Sequence, residues 1–384
     1  MKVAVLGYGT VGAGVYSMLS DAPGMEAGPV LVRPGKAVES FMVSDAALIF
    51  GDPTVDAVVE TLGGLDPAYS YGMRALEAGK HFITANKAMV ASHGLELAAL
   101  AREKGAAFLF SAACGGGVPF LHNLALSAET DRIEAVSGIL NGTTNYMLDA
   151  MQRRGLSYGD ALREAQSLGY AESDPTADVS GLDALRKMQL ACAVAFGVLP
   201  QSGMLCEGME HFTAADVEDI QSRGLVCRLM ARGSRAGESV SAYVEPVLFP
   251  RAAPESSVFT NNNMARYTGK RCGSIVLMGQ GAGRFPTASA VLRDLSAAQQ
   301  GARSMFPENC RAAEADNREA VHSYYIRTGG FAAVRLSLRS VLAQGEVVRA
   351  VTEPMSAEKM HALAQNIRKD GNDLFFAALE EELC

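Results

Sequence analysis

Four acids and a lysine crowd one short stretch near the middle of the chain. Glu172, Asp174, Asp178, Asp183 and Lys187 all fall in GYAESDPTADVSGLDALRKM. Asp183 and Lys187 stand one helical turn apart in GLDALRKMQLACAVAF, whose apolar residues recur at helical period, so the two share a helix face. A lysine with an acid one turn before it, beside further carboxylates, can act as a proton donor whose orientation and pKa are set by its neighbours. The same spacing also describes an ordinary solvated ion pair of little energetic worth. What separates this pair from the common kind is its company, two turns and three more acids immediately upstream. A divalent-cation loop is the other chemistry open to such a segment, but the Asp-x-Asp-x-Asp-Gly order of a calcium loop is missing.

Elements must hold these groups in place. Ile139-Leu140 reads as the end of a strand, and Asn141-Gly142-Thr143-Thr144-Asn145 as a small polar turn opening a helix. From about Ile133 the order is strand, helix, acidic loop, helix. Alternating runs such as SVSAYV and GSIVLMG follow, which predicts an α+β domain on an open sheet.

The N-terminal end carries a different chemistry. MKVAVL is a buried strand that passes at once into Gly7-Tyr8-Gly9-Thr10-Val11-Gly12 and then an amphipathic helix. In that context the glycines form a dinucleotide fingerprint. Gly7 makes the tight turn, Gly9 admits a pyrophosphate to the backbone, and Gly12 lets helix and strand pack, with Thr10 and Val11 at the phosphate-binding helix start. An NAD-preferring site shows an acid at the end of the second strand; here Pro29-Val30-Leu31-Val32 ends in Arg33 with Lys36 beyond, which favours a ribose 2′-phosphate and so NADP. The plainer reading of Arg33 is a solvated strand end.

VDAVVETLGG, a helix reaching Ala78, and HFITANKAMVA repeat the strand-loop-helix rhythm, which implies a doubly wound parallel sheet, a Rossmann-type α/β fold. Lys87 would sit at the mouth of its site. A helix over Gly94–Lys104 and a strand over Ala106–Phe110 lead into SAACGGGVPF, where Cys114 is best read as a packed thiol. GQGAGRFPTASAVLRDL is a second glycine-rich turn opening a helix. The last stretch reads SYYIRTGG, a helical FAAVRLSLRSVLA, the strand EVVRAVTE, the helix SAEKMHALAQNIRKD and DLFFAALEEEL, a β-α-β-α-β order short of one strand.

Composition narrows the classes. A chain of 384 residues with 48% hydrophobic content predicts two or three globular domains. A formal net charge of −8 argues against nucleic acid or a membrane surface as partner. Seven cysteines without a CxxC pair suit thiols in a reducing, cytoplasmic compartment, and six histidines without HxH or HxxxH spacing argue against structural zinc. No signal segment or apolar span of membrane length is present.

GILNGTTNYML followed by GYAESDPTADVSGLDALRK resembles the signature of homoserine dehydrogenase, and the likeness extends over roughly residues 1–300. The resemblance implies an NADP-linked enzyme interconverting L-aspartate 4-semialdehyde and L-homoserine, in a homodimer or homotetramer whose substrate-domain sheet pairs across a dimer axis. It implies that Lys187 is the proton donor, tuned by Asp183, and that Glu172 and Asp178 hold the substrate ammonium. Asp183 would also touch substrate, Thr143 and the Asn141-Gly142 turn would shape the pocket floor, and Thr61, Gly169 and Gly281 would complete the cofactor contacts. Domains would run 1–132, completed by 279–318; 133–278; and 319–384, a small degenerate segment like the ACT regulatory module. The family has a glutamate where this chain has Ser111, so a monovalent cation would keep only the carbonyls of Cys114, Gly116 and Val118. Two other readings stay open: a nucleotide-sensing homologue with weakened turnover, favoured by Ser111 and the eroded C-terminus, and another two-domain NADP oxidoreductase.

Overall fold

A computed structural model describes residues 1–329 and 337–380. They divide into two compact units: Met1–Ile133 with Gln189–Leu199 and Gly279–Arg311, and Glu134–Met188 with Pro200–Met278 and Ala312–Cys384.

The first unit is built on strands β1 (Lys2–Leu6), β2 (Glu26–Leu31), β3 (Met42–Val43), β4 (Ala57–Glu60), β5 (His81–Thr84) and β6 (Phe108–Leu109). They pair in parallel in the order β3-β2-β1-β4-β5-β6. Strand β4 (AVVE) is buried throughout and β1 (KVAVL) at every residue but Lys2, as a parallel sheet covered on both faces requires. The chain leaves β1 toward β2 on one side and reaches β4 on the other. Loops therefore diverge at the C-terminal ends of β1 and β4, the place where such sheets bind ligands. The helix Thr10–Leu19 packs on the helix Arg284–Gln299 closely enough that a Cβ at Gly14 would lie 2.8 Å from the Arg284 carbonyl oxygen. The helix read from Gly94 in fact begins at Lys87, because the Asn86 side chain accepts the Met89 N–H and caps it two turns earlier.

The second unit carries a sheet of ten strands among the described residues. Its spine is the hairpin Leu225–Ala236 with Ser239–Pro250, paired without a break from Leu225–Pro250 to Ala236–Ser239. Ile133–Ile139 pairs antiparallel with this hairpin on one side and Leu374–Leu379 pairs parallel with it on the other. The C-terminal strands Tyr324–Gly329, Val347–Thr352 and Leu338–Ala343 extend the sheet beyond Leu374–Leu379. Tyr324, Phe376, Met360 and Ile367 share one buried core with Met230 and Phe249 of the hairpin.

Two expectations for the C-terminus change here. Residues 331–336 of the stretch read as helical lie outside the described residues, as does the turn at Gly330-Phe331, but Leu338–Ala343 is a strand. With it the segment gives the large sheet four strands among the described residues, Tyr324–Gly329, Leu338–Ala343, Val347–Thr352 and Leu374–Leu379, where the sequence read three. Alanine, leucine and arginine favour helix locally, and pairing with Val347–Thr352 overrides that preference. Among the described residues no helix is long and apolar enough to cross a membrane.

Candidate active site

In the first unit Gly7 makes the turn and Gly12 the packing contact expected of the fingerprint. Gly7 has φ 99° and its N–H donates to the Leu31 carbonyl at 3.0 Å. A Cβ at Gly12 would collide with the Gly7 carbonyl oxygen, whereas one at Gly9 would meet nothing within 4 Å. Gly9 ends the turn as N-cap of Thr10–Leu19, and no side chain caps that helix. Its first N–H groups and its dipole are therefore turned to whatever anion approaches. Beside them lies a cavity of about 1060 Å³ whose lining includes Gly7, Gly9, Arg33, Lys36, Thr61 and Gly63. Bare glycine backbone at a helix start and an open cavity of that size suit a dinucleotide.

Arg33 and Lys36 are brought together by a turn. Pro34 and Gly35, with φ 79° at Gly35, let the Lys36 N–H donate to the Arg33 carbonyl at 3.0 Å. Glu60, fully buried at the end of β4, holds the next loop: its Oε1 accepts the N–H groups of Leu62 (2.6 Å) and Gly63 (3.1 Å), and its Oε2 accepts the Thr84 hydroxyl (2.6 Å). The Thr61 hydroxyl donates to the Leu6 carbonyl at 3.0 Å and so ties β4 to β1.

The glycine-rich loop near β6 has an unexpected partner. Ser111 is buried; its N–H donates to Asp294 Oδ2 at 2.8 Å and its hydroxyl to Asp294 Oδ1 at 2.6 Å. Burial pushes the Asp294 carboxyl up to about 7, against the lowering effect of the Ser111 bonds. Gly116 packs against the Gly281 carbonyl, leaving no room for a side chain, and the Gly117 N–H donates to the Gln280 carbonyl at 3.0 Å. Cys114 is buried and Val118 closes a turn on Gly115. Among the described residues no cluster of three or more histidines, cysteines and acids could hold a metal ion.

In the second unit the acid-rich stretch folds back on the turn at Asn141. The Asn141 side chain caps the helix Gly142–Arg154: its Oδ1 accepts the Thr144 N–H at 2.8 Å. Its Nδ2 donates to Asp178 Oδ1 at 2.7 Å and to Asp183 Oδ2 at 2.9 Å. That same Asp183 oxygen lies 2.7 Å from Lys187 Nζ, which also donates to the Leu140 carbonyl at 2.6 Å. Lysine and aspartate side chains are only 12% and 13% exposed. This is a sequestered pair, not the solvated surface kind. Burial is the largest influence on Asp178 and raises its pKa, and the Asp183 charge adds to that rise; the hydrogen bond from Asn141 and the Lys187 charge oppose it.

The surroundings explain the small residues. A Cβ at Gly142 would lie 2.7 Å from the Asn261 carbonyl oxygen. The Thr143 hydroxyl donates to the Tyr170 carbonyl at 2.6 Å, pinning the acidic loop to the helix start. Asn145 Nδ2 reaches the carbonyls of Val258 (3.1 Å), Thr260 (2.9 Å) and Asn262 (3.2 Å), which steadies a loop where Thr260 has φ 57°.

Of the residues singled out in the sequence, the structure therefore gathers Thr143, Asp178, Asp183 and Lys187 around Asn141. Glu172 remains exposed, with only its carbonyl engaged by Gln166. Asp174 Oδ1 accepts the Thr176 N–H and hydroxyl at the turn that leads into the short helix Thr176–Val179. Gly169 ends the turn after Tyr158–Ser167 with φ 74°. Lys87 opens its helix in the first unit. The sequence places Asn141 in the turn of the pocket floor but does not show its bonds to Asp178 and Asp183, and it gives Glu60 no role. Asn141 carried one signal, its place as a helix cap before Gly142.

Two family models match the chain: "Homoserine dehydrogenase, NAD binding domain" over residues 7–111 and "Homoserine dehydrogenase" over residues 119–296. The homoserine dehydrogenase of Synechocystis is 37% identical over 77% of this chain and 72% of its own length. That of Corynebacterium glutamicum is 38% identical over 76% and 70%. Among solved structures, a homoserine dehydrogenase from Thiobacillus denitrificans superposes with a TM-score of 0.88 at 29% identity, covering 99% of this chain and 98% of that one.

Proposed function

This chain belongs to the homoserine dehydrogenase family, and from that membership we propose that it interconverts L-aspartate 4-semialdehyde and L-homoserine with NADP(H) preferred to NAD(H). It is an NAD(P)-dependent oxidoreductase acting on a CH–OH group. The observation that carries the residue assignment is the sequestered Asp183–Lys187 pair at 2.7 Å, inside the stretch whose sequence first resembled the family.

A nicotinamide held by the residues of the first unit would supply or take up the hydride. As hydride reaches the aldehyde carbon, negative charge grows on the oxygen, and a positioned acid must quench it. Lys187 is that acid, giving a proton from Nζ and taking it back when homoserine is oxidised. The Leu140 carbonyl and Asp183 Oδ2 fix the direction of its ammonium group. Glu172 and Asp178 receive the substrate ammonium, Asp183 borders the substrate, and Thr143 with the Asn141-Gly142 turn forms the floor. For the cofactor, Gly7, Gly9, Thr10, Val11 and Gly12 accept the pyrophosphate, Arg33 and Lys36 the ribose 2′-phosphate, and Thr61, Lys87, Gly169 and Gly281 make further contacts.

Support for NADP is the Arg33–Lys36 turn on the cavity wall, where an NAD site would offer an acid to the ribose hydroxyls. The loop carbonyls of Cys114, Gly116 and Val118 would hold a monovalent cation weakly, since Ser111 brings no charge and is already bonded to Asp294. The same reading makes the protein a cytoplasmic homodimer serving threonine and methionine biosynthesis. Homoserine-dependent reduction of NADP by the purified chain, compared with NAD, tests it. Absence of turnover with either cofactor would refute the function, and faster turnover with NAD would refute the preference.

A further inference from the structure

We propose that Asn141 is the positioning residue of the site: its carboxamide sets the separation of Asp178 and Asp183 and, through Asp183, the aim of Lys187. This rests on the assignment of Lys187 as proton donor in the reaction above.

The orientation of the amide follows from its contacts. Asn141 is 4% exposed, and its Oδ1 accepts both the N–H and the hydroxyl of Thr144, at 2.8 and 3.0 Å. The nitrogen must therefore face the other way, toward the acids. Its two hydrogens are both used, one on Asp178 and one on Asp183. A helix cap alone does not require this residue, because serine, threonine and aspartate cap as well. Among those caps only asparagine also presents an uncharged group with two N–H donors.

That second property suits the electrostatics. Two half-buried carboxylates brought onto one small group repel, and the usual relief is that one of them takes a proton. An amide between them gives each a donor without adding charge, so both can stay ionised. The charged groups facing Asp178 are Asp183 and Lys187; those facing Asp183 include Lys187 and Asp178. If Asn141 is lost, the carboxylates move apart or Asp183 shares a proton with Asp178, and in either case Lys187 loses its fixed partner.

The test uses Asn141→Ser, which keeps a cap acceptor but withdraws both N–H donors, and Asn141→Asp, which keeps cap and shape but replaces the donors by a third carboxylate. Turnover should fall about 100-fold in the serine variant, the loss that a misplacement of about 1 Å brings. The KM for NADP should be unchanged, and the acid limb of the kcat profile should move up by about one pH unit. The aspartate variant should show a larger shift in the same direction.

A readout independent of turnover separates this proposal from the assigned function. Asp178 has a folded pKa raised above its unfolded value, so the stability linked to its proton is present at low pH and is lost as pH rises through the folded pKa. Withdrawing the Asn141 donor raises that pKa further. The melting-temperature gap between wild type and Asn141→Ser should therefore widen as the pH is raised from the acid range to neutrality. A gap that is constant with pH, or kcat within a few-fold of wild type with an unmoved acid limb, overturns the proposal. Should wild type fail to oxidise homoserine, the functional assignment falls while the thermal series still decides whether Asn141 governs the acid pair.

Discussion

Replacing Lys187 by methionine isolates the ammonium group, because the new side chain keeps the length and apolar stem of the old one. The structure gives the group two named tasks, an ion pair with Asp183 Oδ2 at 2.7 Å and a hydrogen bond to the Leu140 carbonyl at 2.6 Å. As general acid it should account for about 10² to 10⁴ in rate, or roughly 3 to 5 kcal/mol of barrier. Stability should suffer less. The Leu140 carbonyl loses a charged donor in a site where the lysine is only 12% exposed, but Asp183 keeps the Asn141 N–H. A net cost of about 2 kcal/mol follows, a few degrees in Tm. Binding of NADPH should be untouched, since the cavity and its glycines belong to the first unit. Steady-state oxidation of NADPH with aspartate semialdehyde, cofactor titration by fluorescence and a thermal melt measure the three quantities separately. Turnover within a few-fold of wild type would remove Lys187 from the chemistry, and a matching loss of NADPH affinity would show that the variant had disturbed more than the donor.

Glu172→Gln should raise the KM for homoserine about tenfold with kcat little changed, because an exposed acid that only receives the ammonium contributes equally to ground and transition states; a pure kcat loss would contradict that role. Arg33→Ala should weaken NADP about tenfold and NAD hardly at all, as expected for loss of one exposed charge-assisted contact to the 2′-phosphate; equal losses measured for both cofactors would refute it. Activity in an organic-cation buffer should change less than about twofold on adding sodium or potassium, since a neutral side chain at Ser111 deletes the strongest single attraction for the ion. A large, saturable activation by either salt would show that the carbonyls alone suffice.

What could be read from the sequence was whatever the chain settles within a few residues. The glycines at 7, 9 and 12 answer to a turn, an approach and a packing contact that all lie within one strand-to-helix junction; the structure has the turn at Gly7 and the packing at Gly12, and open space at Gly9. Asp183 and Lys187 sit one helical turn apart, so their pairing followed from period alone. Leu338–Ala343 failed for the opposite reason: its residues favour helix locally, and its strand form is decided by Val347–Thr352, paired to it in a register with two irregularities.

Asn141 and Ser111 belong to a third kind, where position was visible and partner was not. Asn141 reaches acids 37 and 42 residues away, and Ser111 reaches Asp294 across 183. In the family resemblance Ser111 reads as a deletion, a charge taken from a cation loop. In the folded chain the serine places its N–H and hydroxyl on a carboxyl that burial holds at about 7. The loop is thereby fastened to the helix Arg284–Gln299 by a group that carries its proton for much of the time near neutral pH. An acid kept close to neutral can tether backbone without a cation, whereas a glutamate at 111 beside it would add a second buried acid and need a counter-ion to stay ionised. Loss of the charge at 111 and retention of the loop's shape are thus compatible, because the Ser111 N–H and hydroxyl themselves bind the Asp294 carboxyl.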